Sequence, residues 1–178
     1  MDLNFNGYRD GLAKVTITVE PPSRFVGRVA IAPIAQPADF LASAENGELY
    51  FNIHTESFPL GEIRGQLDTV VLDNTFANGL HVIRLTADLD SAQEPMGASD
   101  SPATGDAQIQ IVFRPDGTMT YRGFLRVDGI DVDDLISVGP FSSIHIHTAP
   151  RGQNGPVLQD FIVDAGGTTT DFSVLEEQ

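Results

Sequence analysis

The most constraining feature of this sequence is that its apolar residues recur at every second position. The stretch AKVTITVE, residues 13–20, alternates Val and Ile with polar residues, which is typical of a half-buried strand. Similar stretches recur along the chain, separated by turn residues such as those of RPDGTM (114–119). About nine strands of this kind predict an all-β sandwich or barrel. Short helical turns are expected only at 37–44 and 132–137.

Charge and composition exclude several classes of protein. The net charge of −15 comes from 25 acidic against 10 basic residues, and such a surface repels nucleic acid. The absence of cysteine excludes disulfides, thiolate nucleophiles and Cys-type zinc sites. No run of about 18 apolar residues exists, so we expect no membrane insertion. The chain opens without a signal peptide, so an exported protein would already have lost it.

Three of the four histidines stand in strand-like sequence. His145 and His147 are two apart in SSIHIHT, so both side chains point to one face of a strand, about 6–7 Å apart along it. His54 lies in YFNIHTE, with Asn52 on the same face. If the two strands are neighbours, three imidazoles converge and can share one copper or zinc ion. His54, His145 and His147 are therefore the candidate metal ligands.

The alternative for these histidines is a structural role. A His-x-His pair on a strand also occurs bonded to backbone groups or to a nearby carboxylate, which Glu56, Glu62 or Asp160 could supply. His81 is a poor fourth ligand and is expected at the surface. No catalytic residue is predicted, because the sequence contains neither a Gly-x-Ser-x-Gly motif nor a phosphate-binding glycine loop.

Three polar segments carry weaker expectations. Residues 90–106 are rich in Ser, Ala, Pro and Gly, which predicts a surface loop. Residues 128–134 hold four acids in seven positions, and calcium at such loops is a weaker expectation because the register of a calcium loop is missing. Glu62 and Arg64 alternate onto one strand face, which predicts an ion pair or an arginine bridge to a neighbouring strand.

Motifs at two places in the chain carry a family resemblance. LTADLDSAQEP, SPATGDAQIQI, PDGTMTYRGFL and HIHTAPRGQNGPVL, within residues 81–160, are similar to the opening and middle of the CHRD domain, the module named after chordin. GELYFNIHTESFPLGEIRGQL, residues 47–67, is similar to its end. The resemblance implies an antiparallel Greek-key or immunoglobulin-like β-sandwich and places the three candidate histidines at motif positions. The HIH pair is also similar to the His-x-His strand of copper–zinc superoxide dismutases.

The motifs stand in an unusual order, because the closing motif at 47–67 precedes the opening one at 81–94. One arrangement is a single circularly permuted domain over 1–178. Another is the tail half of one repeat, 1–72, followed by the head half of the next, 79–178. In a third, subunits exchange these parts to build an assembly. The permuted domain is favoured if the chain folds alone, because half a sandwich leaves edges and core exposed.

The resemblance implies a binding or structural module without established catalysis. The first hypothesis is an exported, non-enzymatic protein of surface architecture, adhesion or self-assembly, located outside the cell or on its surface. Its partners would be further copies of itself or other surface proteins. The second is a metalloprotein with redox or hydrolytic activity at a three-histidine copper or zinc site, which requires an open coordination position. In a third, the metal only pins the two motif segments together.

Overall fold

The computed structural model describes residues 13–20, 24–33, 37–75, 79–95 and 100–165, and the side chains within 38–70, 79–95 and 100–160. Its elements are β1 (Ala13–Glu20), β2 (Arg24–Pro33), α1 (Pro37–Glu45), β3 (Leu49–Ile53), β4 (Ile63–Gln66), β5 (Asp68–Thr75), β6 (His81–Asp90), a 3-10 turn (Ser91–Gln93), β7 (Thr104–Phe113), β8 (Met119–Asp128), a second 3-10 turn (Val132–Asp134), β9 (Ile144–Thr148) and β10 (Val157–Ala165). Both expected helical segments are thus present, as α1 and as the second 3-10 turn. Over these residues, no helix combines the length and hydropathy that a membrane span needs.

All the strands belong to one sheet with the order β4-β3-β9-β10-β1-β2-β8-β7-β6-β5. β1 and β10 pair in parallel, and the other described pairs are antiparallel. The sheet curls until β4 also pairs with β6, through Arg64 and Asp90. β5 pairs with β6 at the end of the strand order. The all-β, sandwich-like fold is therefore confirmed, with ten strands in the described parts of the chain where the sequence predicts about nine.

The predicted RPDGTM hairpin joins β7 to β8. Asp116 Oδ1 accepts hydrogen bonds from the Thr118 backbone N at 2.9 Å and from Thr118 Oγ1 at 2.7 Å. Arg114 N also donates to Thr118 O at 2.9 Å and closes the turn. The hydrogen bonds of the Asp116 side chain stabilise the turn, and this explains why RPDGTM ends β7 and leads into β8.

β3, β4 and β9 are buried on both faces. One face contributes Leu49, Phe51, Ile53, Ile144 and Ile146 to the apolar core, each at most 2% exposed. The opposite face carries polar side chains that are buried as well, each at most 7% exposed: Tyr50, Asn52, His54, Glu62, Arg64, Gln66 and His145. We call these residues, together with His147, the buried polar face. Burying polar groups costs free energy unless they are hydrogen-bonded, so the partners of this face decide what it can do.

The segment 90–106 is only partly the surface loop that its composition predicts. Ser91, Glu94, Ser101 and Ala103 are buried. Ser91 Oγ donates to Ser101 O at 2.8 Å, and Ser101 Oγ donates to Glu62 Oε1 at 2.6 Å. These bonds fold the segment back onto the buried polar face, which composition alone does not reveal.

Candidate metal centre

The structure brings His54, His145 and His147 together. β3 and β9 are antiparallel neighbours, with Asn52 opposite His145 and Tyr50 opposite His147. One ring nitrogen from each histidine lies within 4.8 Å of the others, and His54 Nε2 is 3.0 Å from His145 Nε2. His81 is outside this group, at the start of β6, where its ring centroid is 5.1 Å from that of Phe113.

Backbone carbonyls fix the tautomer of all three rings. The Nδ1 atom of each ring is 2.8–3.1 Å from one carbonyl oxygen: that of Pro59 for His54, Ser142 for His145 and Gly155 for His147. Because a carbonyl oxygen only accepts, each Nδ1 carries a hydrogen and donates it. The Nε2 atom of each neutral ring then keeps a lone pair that can bind a metal ion.

Burial keeps these imidazoles neutral. Burial, and then the neighbouring His147 and His54, lowers the pKa of His145 to about 3. Burial also lowers the pKa of His147 to about 4 and lowers the pKa of His54. At neutral pH, therefore, no proton is shared between His54 Nε2 and His145 Nε2. Two lone pairs face each other at 3.0 Å, and a cation bound by both nitrogens removes their repulsion.

The spacing of the nitrogens suits a first-row metal ion. Imidazole nitrogens bind Zn²⁺ at about 2.0–2.1 Å, so two of them on one ion are at most about 4 Å apart. The 3.0 Å between His54 and His145 is within this limit. The widest spacing, up to 4.8 Å, exceeds the limit by about 0.8 Å. Metal binding would therefore draw His147 Nε2 slightly closer to the other two nitrogens, and this atom has no hydrogen-bond partner among the described residues that would have to be broken.

Tyr50 and Gly155 hold the His147 ring in place. The Tyr50 and His147 rings are stacked, with centroids 4.8 Å apart and planes at 1°. Tyr50 Oη accepts a hydrogen bond from Gly155 N at 3.1 Å, while Gly155 O accepts from His147 Nδ1 at 2.8 Å. The Arg64 guanidinium carbon lies 3.4 Å from the Tyr50 ring centroid. Supporting contacts of this kind orient metal-binding histidines in other proteins.

Arg64 hydrogen-bonds to the loop after β9 and also contacts the neighbouring strand β3 through the Tyr50 ring. Its Nη1 atom donates to Gln153 O at 2.8 Å, and its side chain is almost fully buried. Glu62 instead accepts hydrogen bonds from Thr55 Oγ1 at 2.5 Å and Ser101 Oγ at 2.6 Å. The predicted arginine bridge to a neighbouring strand therefore takes the form of the contact with Tyr50, and loops supply further hydrogen-bond partners of both Glu62 and Arg64.

Asp160 is the carboxylate beside the histidine pair, and it reaches His145 indirectly. Its Oδ1 atom is 4.0 Å from His145 Nδ1 and accepts from Ser142 N at 3.0 Å and Ser142 Oγ at 2.8 Å. Ser142 O in turn accepts from His145 Nδ1. Backbone bonding, the structural alternative for the histidines, thus accounts for the Nδ1 atoms. It gives no reason for the convergence of the Nε2 atoms.

Glu94 is a buried carboxyl group at the edge of the buried polar face. Its Oε1 atom has no hydrogen-bond partner within the described parts of the chain. Burial raises the pKa of Glu94 to about 7, and the nearby Arg64 charge opposes this rise in part. A carboxyl group in such a place takes up a proton more readily than one in water.

We expect Glu94→Gln to remove the loss of stability that Glu94 causes at high pH in the metal-free protein, while the contribution of the buried histidines stays the same. Because the folded pKa, about 7, is above the reference value of 4.5, the stability from Glu94 is complete below pH 4.5 and is lost as pH rises through 7. The difference corresponds to about 3 kcal/mol. Urea unfolding in chelator at pH 4.5 and pH 8.5 measures this loss as the difference between the two proteins, because the buried histidines, whose pKa values are lowered, change the stability of both proteins alike.

The matched control is Asp106→Asn, which removes a carboxylate that bonds Arg126 at 2.6 Å on the exposed side of the sheet. This variant should keep the wild-type pH slope. An identical slope in wild type and Glu94→Gln would contradict the assignment of a raised pKa to Glu94.

Comparison with known proteins identifies the family. The chain matches the family model of the CHRD domain over residues 7–67 and 85–177, which include the three histidines, Arg64 and Glu94. It therefore belongs to the CHRD family, a β-fold domain of extracellular proteins. A search of curated proteins found no match, and neither did a search of solved structures.

Sequence reasoning missed the supporting residues of this site. The period-two pattern places Tyr50 and Asn52 on the same face as His54, but it does not show which of them contacts a histidine. Glu94 lies in the AQEP motif, and this motif was the sequence feature that could have marked it as a residue of the site. Gly155 carried no signal, because its role lies in its backbone N and O atoms.

Proposed function

We propose that this protein is an extracellular CHRD domain that binds one transition-metal ion, copper or zinc, through the Nε2 atoms of His54, His145 and His147. The observation that carries the proposal is the convergence of three imidazoles whose Nδ1 atoms all face backbone carbonyls. Metal-binding histidines commonly have this arrangement. With no cysteine in the chain, nitrogen and oxygen ligands remain, and these suit Cu²⁺ and Zn²⁺.

The ion would serve first to join two parts of the chain. His54 lies in the closing motif at 47–67, and His145 and His147 lie in the middle motif, more than ninety residues later. A metal bound by both parts stabilises the folded state, because the unfolded chain cannot offer the same three nitrogens at once. This supports a non-enzymatic, structural role. Redox or hydrolytic chemistry would need an exchangeable fourth position.

The same pairings favour one permuted domain over 1–178. β3, from the closing motif, pairs with β9 over five residue pairs, and β4 contacts β6 from the opening motif. Both sets of pairings occur within one chain, as a permuted domain requires. The alternatives, halves 1–72 and 79–178 of two repeats or subunits that exchange parts, would leave such strands to pair with other chains.

Metal titration of the chelator-treated protein tests the proposed function. We expect the wild type to bind one equivalent of Cu²⁺ or Zn²⁺, and His147→Gln to bind it roughly 100-fold more weakly, because one of three nitrogen ligands is lost. His81→Gln is the matched control and should bind like the wild type. If no metal is taken up, or if the two variants weaken binding equally, the three-histidine site is not the metal site.

Self-assembly for adhesion or surface architecture is the second candidate function, with a further copy of this chain as the partner. The observation that favours it is the position of β5 at the end of the strand order, with Val70 62% exposed. An edge strand can pair with a strand of another chain. Sedimentation velocity should then detect dimers or larger species, and Val70→Lys should shift them to monomer. A monomer at every concentration would argue against this candidate.

A further inference from the structure

Asn52 lies at the centre of the buried polar face. Its direct cross-strand neighbours are Arg64 on β4 and His145 on β9. Tyr50 on β3 and His54 just after β3 are each two residues away and point to the same side. Side chains at directly opposed positions have Cβ atoms about 5 Å apart. Asn52 therefore stands among the histidines without being one of the ligands assigned above.

Two buried oxygen atoms on this face have no donor within the described residues. They are Asn52 Oδ1 and Glu94 Oε1, on side chains that are 4% and 9% exposed. A buried acceptor without a partner costs about 1–3 kcal/mol. The cost is removed when a ligand with O–H or N–H groups donates to both atoms, so the pair is complementary to a small protic molecule.

Gly61 shows that the two oxygens lie close to each other, because both are against this glycine. A Cβ atom added to Gly61 would lie 2.7 Å from Glu94 Oε1 and 2.8 Å from Asn52 Oδ1. Gly61 also has a φ of +125°, which disfavours every residue with a side chain. The glycine thus allows Glu94 to approach Asn52, which is the cross-strand neighbour of His145.

We propose that Asn52 Oδ1 and Glu94 Oε1 accept hydrogen bonds from a small protic ligand, water or a peroxide, at the fourth coordination position of the metal bound by the three histidines. The inference rests on the proposed metal site, and it adds which kind of exogenous ligand the bound metal ion would prefer. A three-histidine metal ion has one position left for an exogenous ligand. Two acceptors, one of them a carboxyl group, favour a hydrogen-bond donor there and disfavour an anion that carries no hydrogen, such as azide.

Azide binding to the Cu²⁺-loaded protein tests this preference, because azide is a small anion without hydrogen atoms. Its affinity is measured at pH 8 from the visible charge-transfer band. We expect azide to bind Glu94→Gln at least 10-fold more tightly than the wild type, because an amide can donate where the carboxylate repels. Asn52→Leu, which removes the second acceptor, should bind azide several-fold more tightly. Asp106→Asn, which removes a distant exposed carboxylate, should match the wild type.

The outcomes separate this inference from the proposed function. If the wild type takes up no Cu²⁺, the metal site and its ligand preference both fail. If Cu²⁺ binds at one equivalent but all four proteins bind azide equally, only the inference fails. If a folded Glu94→Gln or Asn52→Leu variant no longer binds Cu²⁺, the replaced residue is itself a metal ligand, which also overturns the inference.

Discussion

Arg64→Met is expected to lower the free energy of unfolding by about 3 kcal/mol. Arg64 is 1% exposed, and its guanidinium donates to Gln153 O, Asn154 Oδ1 and Gln66 Oε1 at 2.8–3.3 Å. Hydrogen bonds from a charged group contribute about 1.5–3 kcal/mol each. Relief of the buried charge offsets part of their loss. The expected change is therefore smaller than the sum of the bonds, and urea unfolding in chelator at pH 7 measures it.

The same substitution should also weaken metal binding, by about 10-fold. The guanidinium no longer lies on the Tyr50 ring, which is stacked on His147, so the ligand is less firmly oriented. Arg122→Met is the matched control, because Arg122 is exposed and its Nε donates to Gln110 Oε1; we expect a change within about 0.5 kcal/mol. A change of similar size in both variants would show that burial of Arg64 does not matter.

Gly155→Ala is expected to lower stability by about 3 kcal/mol, the upper end of what overpacking that shifts the backbone typically costs. A Cβ atom at this position would overlap the backbone oxygen of Thr148, and a main-chain atom inside β9 cannot rotate away. The loop after β9 would have to shift, and with it both backbone hydrogen bonds of Gly155, to Tyr50 and His147. We therefore expect weaker metal binding as well, measured by the same titration as for His147→Gln.

Gly152→Ala is the control within the same loop. A Cβ atom there has no neighbour within 4 Å, and the strain is limited to a φ of +76°. The expected loss is about 1 kcal/mol, without an effect on metal affinity. Equal losses in the two variants would indicate that backbone conformation, and not the contact with Thr148, makes Gly155 necessary.

The alternation in the sequence was enough to predict the two faces of the strands that carry the site. It places Ile144 and Ile146 opposite His145 and His147, and Phe51 and Ile53 opposite His54, and the structure agrees. Period-two patterning is a local property, so short segments reveal it. The same local signals predicted α1 and the hairpin between β7 and β8.

The pairing of strands far apart in the chain could not be predicted from the sequence, because a local pattern does not indicate which strands are neighbours in the sheet. The meeting of His54 with His145 depends on β3 pairing with β9, across 91 residues. The parallel pairing of β1 with β10 had no local signal either. Glu94 was placed in a surface loop, since a polar segment reads as solvated unless its tertiary hydrogen bonds are known.

The buried polar face explains why motifs far apart in the chain belong together. The closing motif supplies Tyr50, Asn52, His54 and Arg64, the middle motif supplies the histidine pair, and the opening motif supplies Glu94. Loops cover this face and are held to it by hydrogen bonds, for example from Arg64 Nη1 to Gln153 O. A single metal ion at the histidines would tie these motifs into one unit.

X-ray absorption at the metal edge of the Cu²⁺- or Zn²⁺-loaded protein tests directly whether His54, His145 and His147 bind the ion. We expect three imidazole nitrogens at about 2.0 Å and one further light atom at a similar distance, with one imidazole fewer in His147→Gln. A spectrum without imidazole scattering, or one that His147→Gln leaves unchanged, would contradict a metal site at His54, His145 and His147.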